Sequence, residues 1–309
     1  MSNQISDAFV KQYSANVFHL SQQQGSRLQD KVRKESQKSK AQFFDRIGAV
    51  AAQKKVSRHS DTPQLDTPHS RRMVSLVDYE WADLIDDADK IKMLNDPTSD
   101  YALAAMWALG RSKDDEIIEK AHGTAYSGEE GTTAVTFPTS QSIAAVASSA
   151  LSNLNVGALR LAKKYFGDND VDESVPLHAA VTSSQIYAML GEDKITSADY
   201  NTIRALVAGD VDSFMGFKFV RTQRLLVDTA AIKYNTATGV YDAGGTSGLA
   251  SRDCIFWAQD GLLLSTAQEV KGRISERDDK SYSTQVYACM GIGSTRMEEV
   301  KVLKVSCKE

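Results

Sequence analysis

The sequence predicts an α+β protein in which a short arm, a long two-stranded extension and one long helix precede a compact α/β body. Three stretches carry that expectation. Met73, Val77, Tyr79 and Trp81 fall on one face by period two, with Asp78 and Glu80 on the other, the pattern of a half-exposed strand. Asp96-Pro97 then opens a run with no further proline until well past Gly123. Asp suits a helix N-cap, and Pro suits the first helical position because its missing N–H would be unpaired anyway. At 1.5 Å per residue this run makes a rod of roughly 40 Å, longer than the core of such a chain needs, so it reads as a spine with domains on either side. Beyond Pro138, strand-like and helix-like patterns alternate.

Composition bounds the rest. With 309 residues, 42% hydrophobic and 25% charged, the chain is globular and long enough for one large or two ordinary domains. A net charge of −4 argues against a nucleic-acid binder that relies on bulk positive charge. Cys254, Cys289 and Cys307 are few, odd in number and without CxxC spacing, so neither a disulfide framework nor a zinc site is expected. The opening residues show no basic region followed by an apolar core, and no secretion signal is expected. No apolar run approaches 18 residues, so no membrane contact is expected either.

From the start of the chain, Ile5, Phe9, Tyr13, Val17 and Leu20 recur at helical steps up to Gly25, an amphipathic stripe. Residues 26–40 carry Arg27, Lys31, Arg33, Lys34, Lys38 and Lys40 against Asp30 and Glu35, and read as a charged linker or arm. Residues 41–51 read as a strand and 73–81 as its return. The stretch between has no hydrophobic pattern and repeats Asp-Thr-Pro at 61–63 and 66–68. Proline fixes φ and removes a donor, so this tip is extended or turning rather than laddered. A hairpin of that length has little core of its own to lie on and is marginal alone in water. It is expected to rest on another chain or on another part of this one.

After the spine, Gly123 to Pro138 is a connection. Asn155 can cap a helix with Leu159, Ala162 and Phe166 inward and Gly167 as its stop. Val175, Leu177, Ala179 and Val181 alternate as a strand, Ser197 can cap a second helix ending at Gly209, and 214–220 is strand-like. Residues 235–251 read as a surface loop. Asp260-Gly261 is a hairpin signal between 254–258 and 262–267. Strands are expected at 284–290 and 300–307, with broken alternation suggesting a bulge near Leu303.

Signals of chemistry are weak. No HExxH, GxSxG, P-loop or EF-hand run occurs. Gly291-Ile292-Gly293 lacks the third glycine of a nucleotide loop and reads as a turn; Gly244-Gly245-Thr246-Ser247-Gly248 has no helix with Lys behind it and reads as a flexible loop. His59, Asp61, Asp66 and His69 are metal-ligand types within eleven residues, but the tip offers no rigid support. Asp83, Asp86, Asp87 and Asp89 could be paired acid/base carboxylates; a solvated or intersubunit acidic face is the simpler reading. Cys254 lies in an apolar strand and is expected to be buried and inert. An arm, a long extension, a spine and a body without a catalytic constellation make a subunit built to contact copies of itself.

Three long stretches carry a resemblance: DTPHSRRMVSLVDYEWADLIDDADKIKMLNDPTSDYA, then ALGRSKDDEII, then RISERDDKSYSTQVYACMGIGSTRMEEVKV, with FVKQYSANV and RIGAV before them. Together they resemble tailed-bacteriophage major capsid proteins of the Hong Kong 97-like fold. The resemblance implies an N-terminal arm (1–40), an extended loop (41–90), a peripheral domain on the spine helix (91–135), an axial domain (136–271) and C-terminal strands (272–309) returning to the peripheral domain. It also implies pentamers and hexamers closing an icosahedral shell around double-stranded DNA, no enzymatic activity and no cofactor. Scaffolding and portal proteins, and a decoration protein, are implied as further partners. Some relatives join subunits by a Lys–Asn isopeptide bond, but nothing here marks an acceptor. An encapsulin-like compartment and, in another class, an α/β hydrolase using the His59–His69 cluster are the alternatives. Subunit contacts are expected at Arg33, Lys34, Lys38, Lys40, Lys54, Lys55, Arg58, Arg71 and Arg72 and at the acidic Asp83, Asp86, Asp87 and Asp89. Tyr79, Trp81, Tyr101 and Trp107 are the expected structural core.

Overall fold

The computed structural model describes residues 20–55, 57–58, 62, 64–86, 98–147, 150–191, 213–228, 232–235, 240–243 and 251–308. The expected amphipathic stripe up to Val17, the helix start at Asp96-Pro97, the second helix at Ser197 and the 244–248 loop lie outside them.

The chain begins with β1 (Arg33–Ser36), β2 (Ala41–Ile47), β3 (His69–Ser75) and β4 (Val77–Ile85), followed by the long helix α1 (Thr98–His122). Short strands follow: β5 (Ala125–Ser127), β6 (Thr133–Val135), β7 (Ser142–Ala144), β8 (Val146–Ala147) and β9 (Ala150–Leu151). Next come α2 (Val156–Asp168), β10 (Leu177–Val181), α3 (Ser183–Leu190), β11 (Ser213–Phe214), β12 (Phe217–Arg221) and β13 (Val227–Asp228). The chain closes with β14 (Ile232–Asn235), β15 (Val240–Ala243), β16 (Ser251–Ala258), β17 (Leu262–Arg277), β18 (Ser283–Arg296) and β19 (Val302–Lys308).

The chain falls into two compact units. One contains the described residues up to Ser26 with 78–112 and 268–291. Its core is Ile85, Ala105, Leu109, Val286, Ala288 and Met290. β4 is an edge strand here, next to β18 in the order β1-β17-β18-β4. The expected continuity from Met73 to Trp81 is broken: β3 ends at Ser75 and β4 starts at Val77, and the two belong to different sheets. The hairpin's return strand is therefore His69–Ser75 alone. The break falls at Leu76, whose N–H donates to the Lys40 carbonyl at 2.9 Å.

The other unit contains 27–77, 113–267 and the residues from Ile292 on. Its main sheet has the order β11-β12-β10-β16-β19-β7, with β13 added on β16. β10 is buried along its whole length, so both faces are covered and alternation carries no information there. Asn155 caps α2 as expected, its Oδ1 accepting the Ala158 N–H at 2.7 Å. Leu159, Ala162 and Phe166 face inward. Phe166 meets Phe217 at 6.0 Å between ring centres, and Phe217 meets Phe256 edge-on at 5.1 Å. Met215 and Gly216, both at positive φ, turn β11 into β12, the geometry a two-residue hairpin favours.

Several expectations are corrected here. Asp260-Gly261 joins β16 to β17, but these strands sit in different sheets, so it is a turn between layers and not a hairpin. β19 pairs with β16 from Trp257↔Val302 to Ser251↔Lys308 and with β7. That ladder is continuous, with no bulge at Leu303; alternation breaks because both faces are buried. Gly291-Ile292-Gly293 is not a turn but lies inside β18, where a Cβ on Gly293 would come within 2.4 Å of the Ser75 carbonyl oxygen. Finally, 26–40 is not a solvated linker. Leu28 and Val32 are buried, and β1 pairs parallel with the first residues of β17.

Candidate assembly surfaces

The hairpin β2–β3 runs for seven paired residues, from Ala41↔Ser75 to Ile47↔His69. The Gly48 N–H donates to the Pro68 carbonyl at 2.8 Å and closes the ladder. Among the described residues beyond it, no strand forms before His69, and Ile47, Val50 and Leu65 stand exposed. Apolar side chains left in water at the last pair of the ladder (Ile47) and beyond it (Val50, Leu65) are what a surface completed by another body looks like.

The root of the hairpin is held by buried arginines. Arg72 is 1% exposed and hydrogen-bonds the Glu299 carboxylate. Arg46 Nη1 lies 4.0 Å and Arg296 Nε 3.8 Å from the same carboxylate. The Met297 carbonyl accepts from Arg46 and Arg72. Burial pushes the guanidinium pKa of Arg72 and of Arg296 down, and Glu299 pulls each back up. Arg296 also donates at 2.9 Å to the carbonyls of Ala121 and Gly123, at the end of α1, and lies 5.0 Å over the Phe137 ring. Helix-terminal carbonyls have no partner within the helix, so this guanidinium serves as the cap of α1. Arg72 was expected at a subunit contact; it is internal instead, because its strand turns it toward Glu299. Arg71 points the other way, exposed, with Nε 2.7 Å from Asp45. The adjacent Arg71-Arg72 pair was the available sequence signal, and strand alternation requires that only one of the two face inward.

The segment after the arm is anchored too. The buried Asp114 carboxylate accepts the N–H of Arg27 at 3.0 Å and of Leu28 at 3.1 Å. Trp257 Nε1 donates to the Lys31 carbonyl at 2.9 Å. Arg33 pairs with Glu35 at 2.7 Å and Lys34 with Asp30, so two of the four basic residues find partners close in sequence. Lys38, Lys40, Lys54, Lys55 and Arg58 are exposed. On the acidic side Asp78, Glu80, Asp83 and Asp86 are exposed on or beside β4, while Asp87 and Asp89 lie outside the described residues. The Tyr287 hydroxyl donates to Glu80 at 3.3 Å.

The four aromatics expected in the core, Tyr79, Trp81, Tyr101 and Trp107, are each half-buried. Among the described residues the fully buried Phe, Tyr and Trp side chains are Phe166, Phe217, Phe256 and Trp257. Period two places Tyr79 and Trp81 on one face of β4, which is the edge strand of its sheet. The Cys254 and Cys307 thiols are both buried, and the hydrogen bond of the Cys307 thiol with Cys254, together with burial, pushes Cys307 upward. Burial pushes His122 down to about 3 and His178 to about 4, so both imidazoles are neutral near pH 7. Among the described residues no three His, Cys, Asp or Glu side chains come together as a metal site; Asp66 and His69 are exposed, and His59 and Asp61 lie outside. No described helix is long and apolar enough to cross a membrane.

The profile of one family, the phage capsid proteins, matches residues 5–309. The chain belongs to the phage capsid protein family. No curated protein matches it by sequence at a significant level. Solved structures do match over nearly the full length. The capsid of the cyanophage P-SCSP1u is similar with a TM-score of 0.72 at 15% identity, covering 99% of this chain and 96% of that one. The capsid of Ralstonia phage GP4 gives 0.73 at 8%, covering 97% and 95%. The acid-stable capsid of Helicobacter pylori bacteriophage KHP30 gives 0.71 at 10%, covering 99% and 98%. At such identities these likenesses establish the α+β, Hong Kong 97-like fold. This capsid protein is a major component of an icosahedral virion shell, and its work is structural rather than enzymatic.

Proposed function

We propose that copies of this chain assemble as pentamers and hexamers into the shell that encloses double-stranded DNA, and that residues 41–90 supply the contact reaching a neighbouring subunit. The observation that carries this is the hairpin: a ladder of seven pairs, held by a buried arginine cluster, leaves Ile47 of its last pair and Val50 and Leu65 beyond it in water. A rigid root with an unsatisfied tip transmits the position of one body to another. In this reading residues 1–40 act as an arm, α1 is the spine of the peripheral domain, and the seven-stranded sheet is the axial domain with β19 included in it. Separate scaffolding and portal proteins, and a decoration protein, are further partners in the same reading. The exposed charges Lys38, Lys40, Lys54, Lys55, Arg58 and Arg71 on one side, and Asp83 and Asp86 on the other, are candidates for contacts between copies.

Replacing residues 51–66 by a short Gly-Ser turn tests the reading. It keeps the whole ladder and the Gly48–Pro68 closure. The expected product is a soluble chain with unchanged circular dichroism that no longer closes shells in electron micrographs. Normal shells from this variant would refute the role given to the extended loop.

A further inference from the structure

An apolar groove of about 300 Å³ lies within the first unit, between α1 and the β17–β18 hairpin, lined by Ala102, Met106, Val270, Ile274, Val286 and Ala288. Two of its lining residues, Met106 and Ile274, are each 54% exposed, and Leu103, next to Ala102 on α1, is 44% exposed. On α1, Leu103, Met106 and Gly110 form one stripe by i, i+3 and i+7. The far end of that stripe is already covered by this chain. A Cβ on Gly110 would stand 2.6 Å from Gly25 Cα, so the backbone at Gly25 lies directly on the helix. Arg111 Nη1 holds the same strand of chain, donating to Gln22 Oε1 at 2.9 Å and to the Gln23 carbonyl at 3.0 Å. One turn of helix, about 6 Å, separates Gly110 from Met106. The chain preceding this point carries the stripe Ile5, Phe9, Tyr13, Val17 and Leu20, and Leu20 is 87% exposed where the described chain starts.

We propose that residues 5–20 of the same chain occupy this groove, laying their apolar stripe over Leu103, Met106 and Ile274. As a helix the segment would span roughly 24 Å, enough to cover the groove from its anchor at Gly25. The tether makes docking intramolecular, at an effective concentration in the millimolar range for a short linker, so a modest apolar contact suffices. The interior glycine of the spine is thereby explained: at Gly110 the arm must cross the helix in backbone contact before it turns along the groove.

The test is cysteine cross-linking in the purified, unassembled full-length protein. Cys289→Ser removes the one natural thiol that is not buried. Met106→Cys is then combined in turn with Phe9→Cys, Tyr13→Cys and Val17→Cys, and with Lys54→Cys as control, and oxidised with copper phenanthroline. The expected result is an intrachain product, monomeric on a non-reducing gel, for at least one of the three arm positions and not for the control. Disulfide-linked dimers as the main product would mean that a neighbour's arm fills the groove and would overturn the proposal. Absence of any product would overturn it too. A second measurement does not depend on new thiols: Phe9→Asp with Tyr13→Asp should cause loss of hydrogen-exchange protection at 102–106 and 270–274, and unchanged protection there would count against arm docking.

Discussion

Strand β10 and strand β2 are both short and both rich in apolar or aromatic residues, yet one is buried along its whole length and the other alternates between exposed and half-buried. β10 has a parallel neighbour on one side, an antiparallel one on the other and α2 packed with the same sheet. β2 is an edge strand with a single partner. The first region is complete within one chain; the second is held only at its root. The difference separates two kinds of sequence position: those that decide whether the chain folds, and those that decide what it meets once folded.

The sharpest way to break that comparison is to truncate a large aromatic in each region. Trp257→Ala empties a site with 1% exposure between the His178 ring and the Lys31 carbonyl. It should cost about 3–5 kcal/mol, a large part of the total stability of a domain, and leave little folded monomer. Trp81→Ala, at a half-buried position on the edge strand β4, should cost about 1 kcal/mol and leave the monomer yield nearly unchanged. Denaturant midpoints of the two unassembled variants check this. Equal losses would show that the first unit depends on its aromatic stripe as strongly as the main sheet depends on its core.

How much of this could be read in the sequence follows the same division. The cap at Asn155, the inward face of α2 and the two-stranded extension were legible because local chemistry and tertiary structure agree there. Leu76 was not. Period two continues through it, and only the pairing of β3 with β2 and of β4 with β18 shows that the chain changes sheets. Asp260-Gly261 misled for a related reason, since a tight turn does not say whether the strands it joins pair with each other. The arginine cluster was missed because Arg46, Arg72 and Arg296 are distant in sequence and converge only through the fold. Their one local trace was Arg71-Arg72, where alternation alone cannot say which side faces in. For the assembly surface the sequence offered an unpatterned tip, and the structure adds how firmly its root is fixed.

A smaller effect separates the two regions by pH. His178 lies in the main sheet and His122 at the end of α1, and both have folded pKa values far below the usual value near 6.5. Below about pH 6.5 the unfolded chain takes up protons that the folded chain does not, so stability falls as pH falls. The slope is at most about 1.4 kcal/mol per pH unit for each group, and ends for His178 near pH 4. Urea midpoints of the unassembled protein at pH 7 and pH 5 should show this loss. The His122→Gln, His178→Gln double variant should flatten it, while the extended loop, which contributes neither group, should leave it unaltered when replaced.

The smallest expected effects concern the exposed charges, where the contrast between folding and meeting is purest. Lys34 and Arg33 already have partners at Asp30 and Glu35, whereas Lys38 and Lys40 stand exposed, and Asp83 and Asp86 are exposed beside the edge strand β4. Exposed ion pairs are worth about 0–1 kcal/mol each, so Lys34→Glu with Lys38→Glu should leave monomer stability within that range. Their influence on assembly is different, because a small term recurs at each subunit contact and sets its register. It should also be screened, since the Debye length is about 8 Å at physiological salt. The double reversal is therefore expected to slow assembly of empty shells, more at low salt than at high, with partial recovery when Asp83→Lys and Asp86→Lys are added. Light scattering during assembly reads both. If shells form at the normal rate and only DNA retention is lost, the basic residues face the genome instead of a neighbouring subunit, and the acidic edge of β4 must be matched by some other cation.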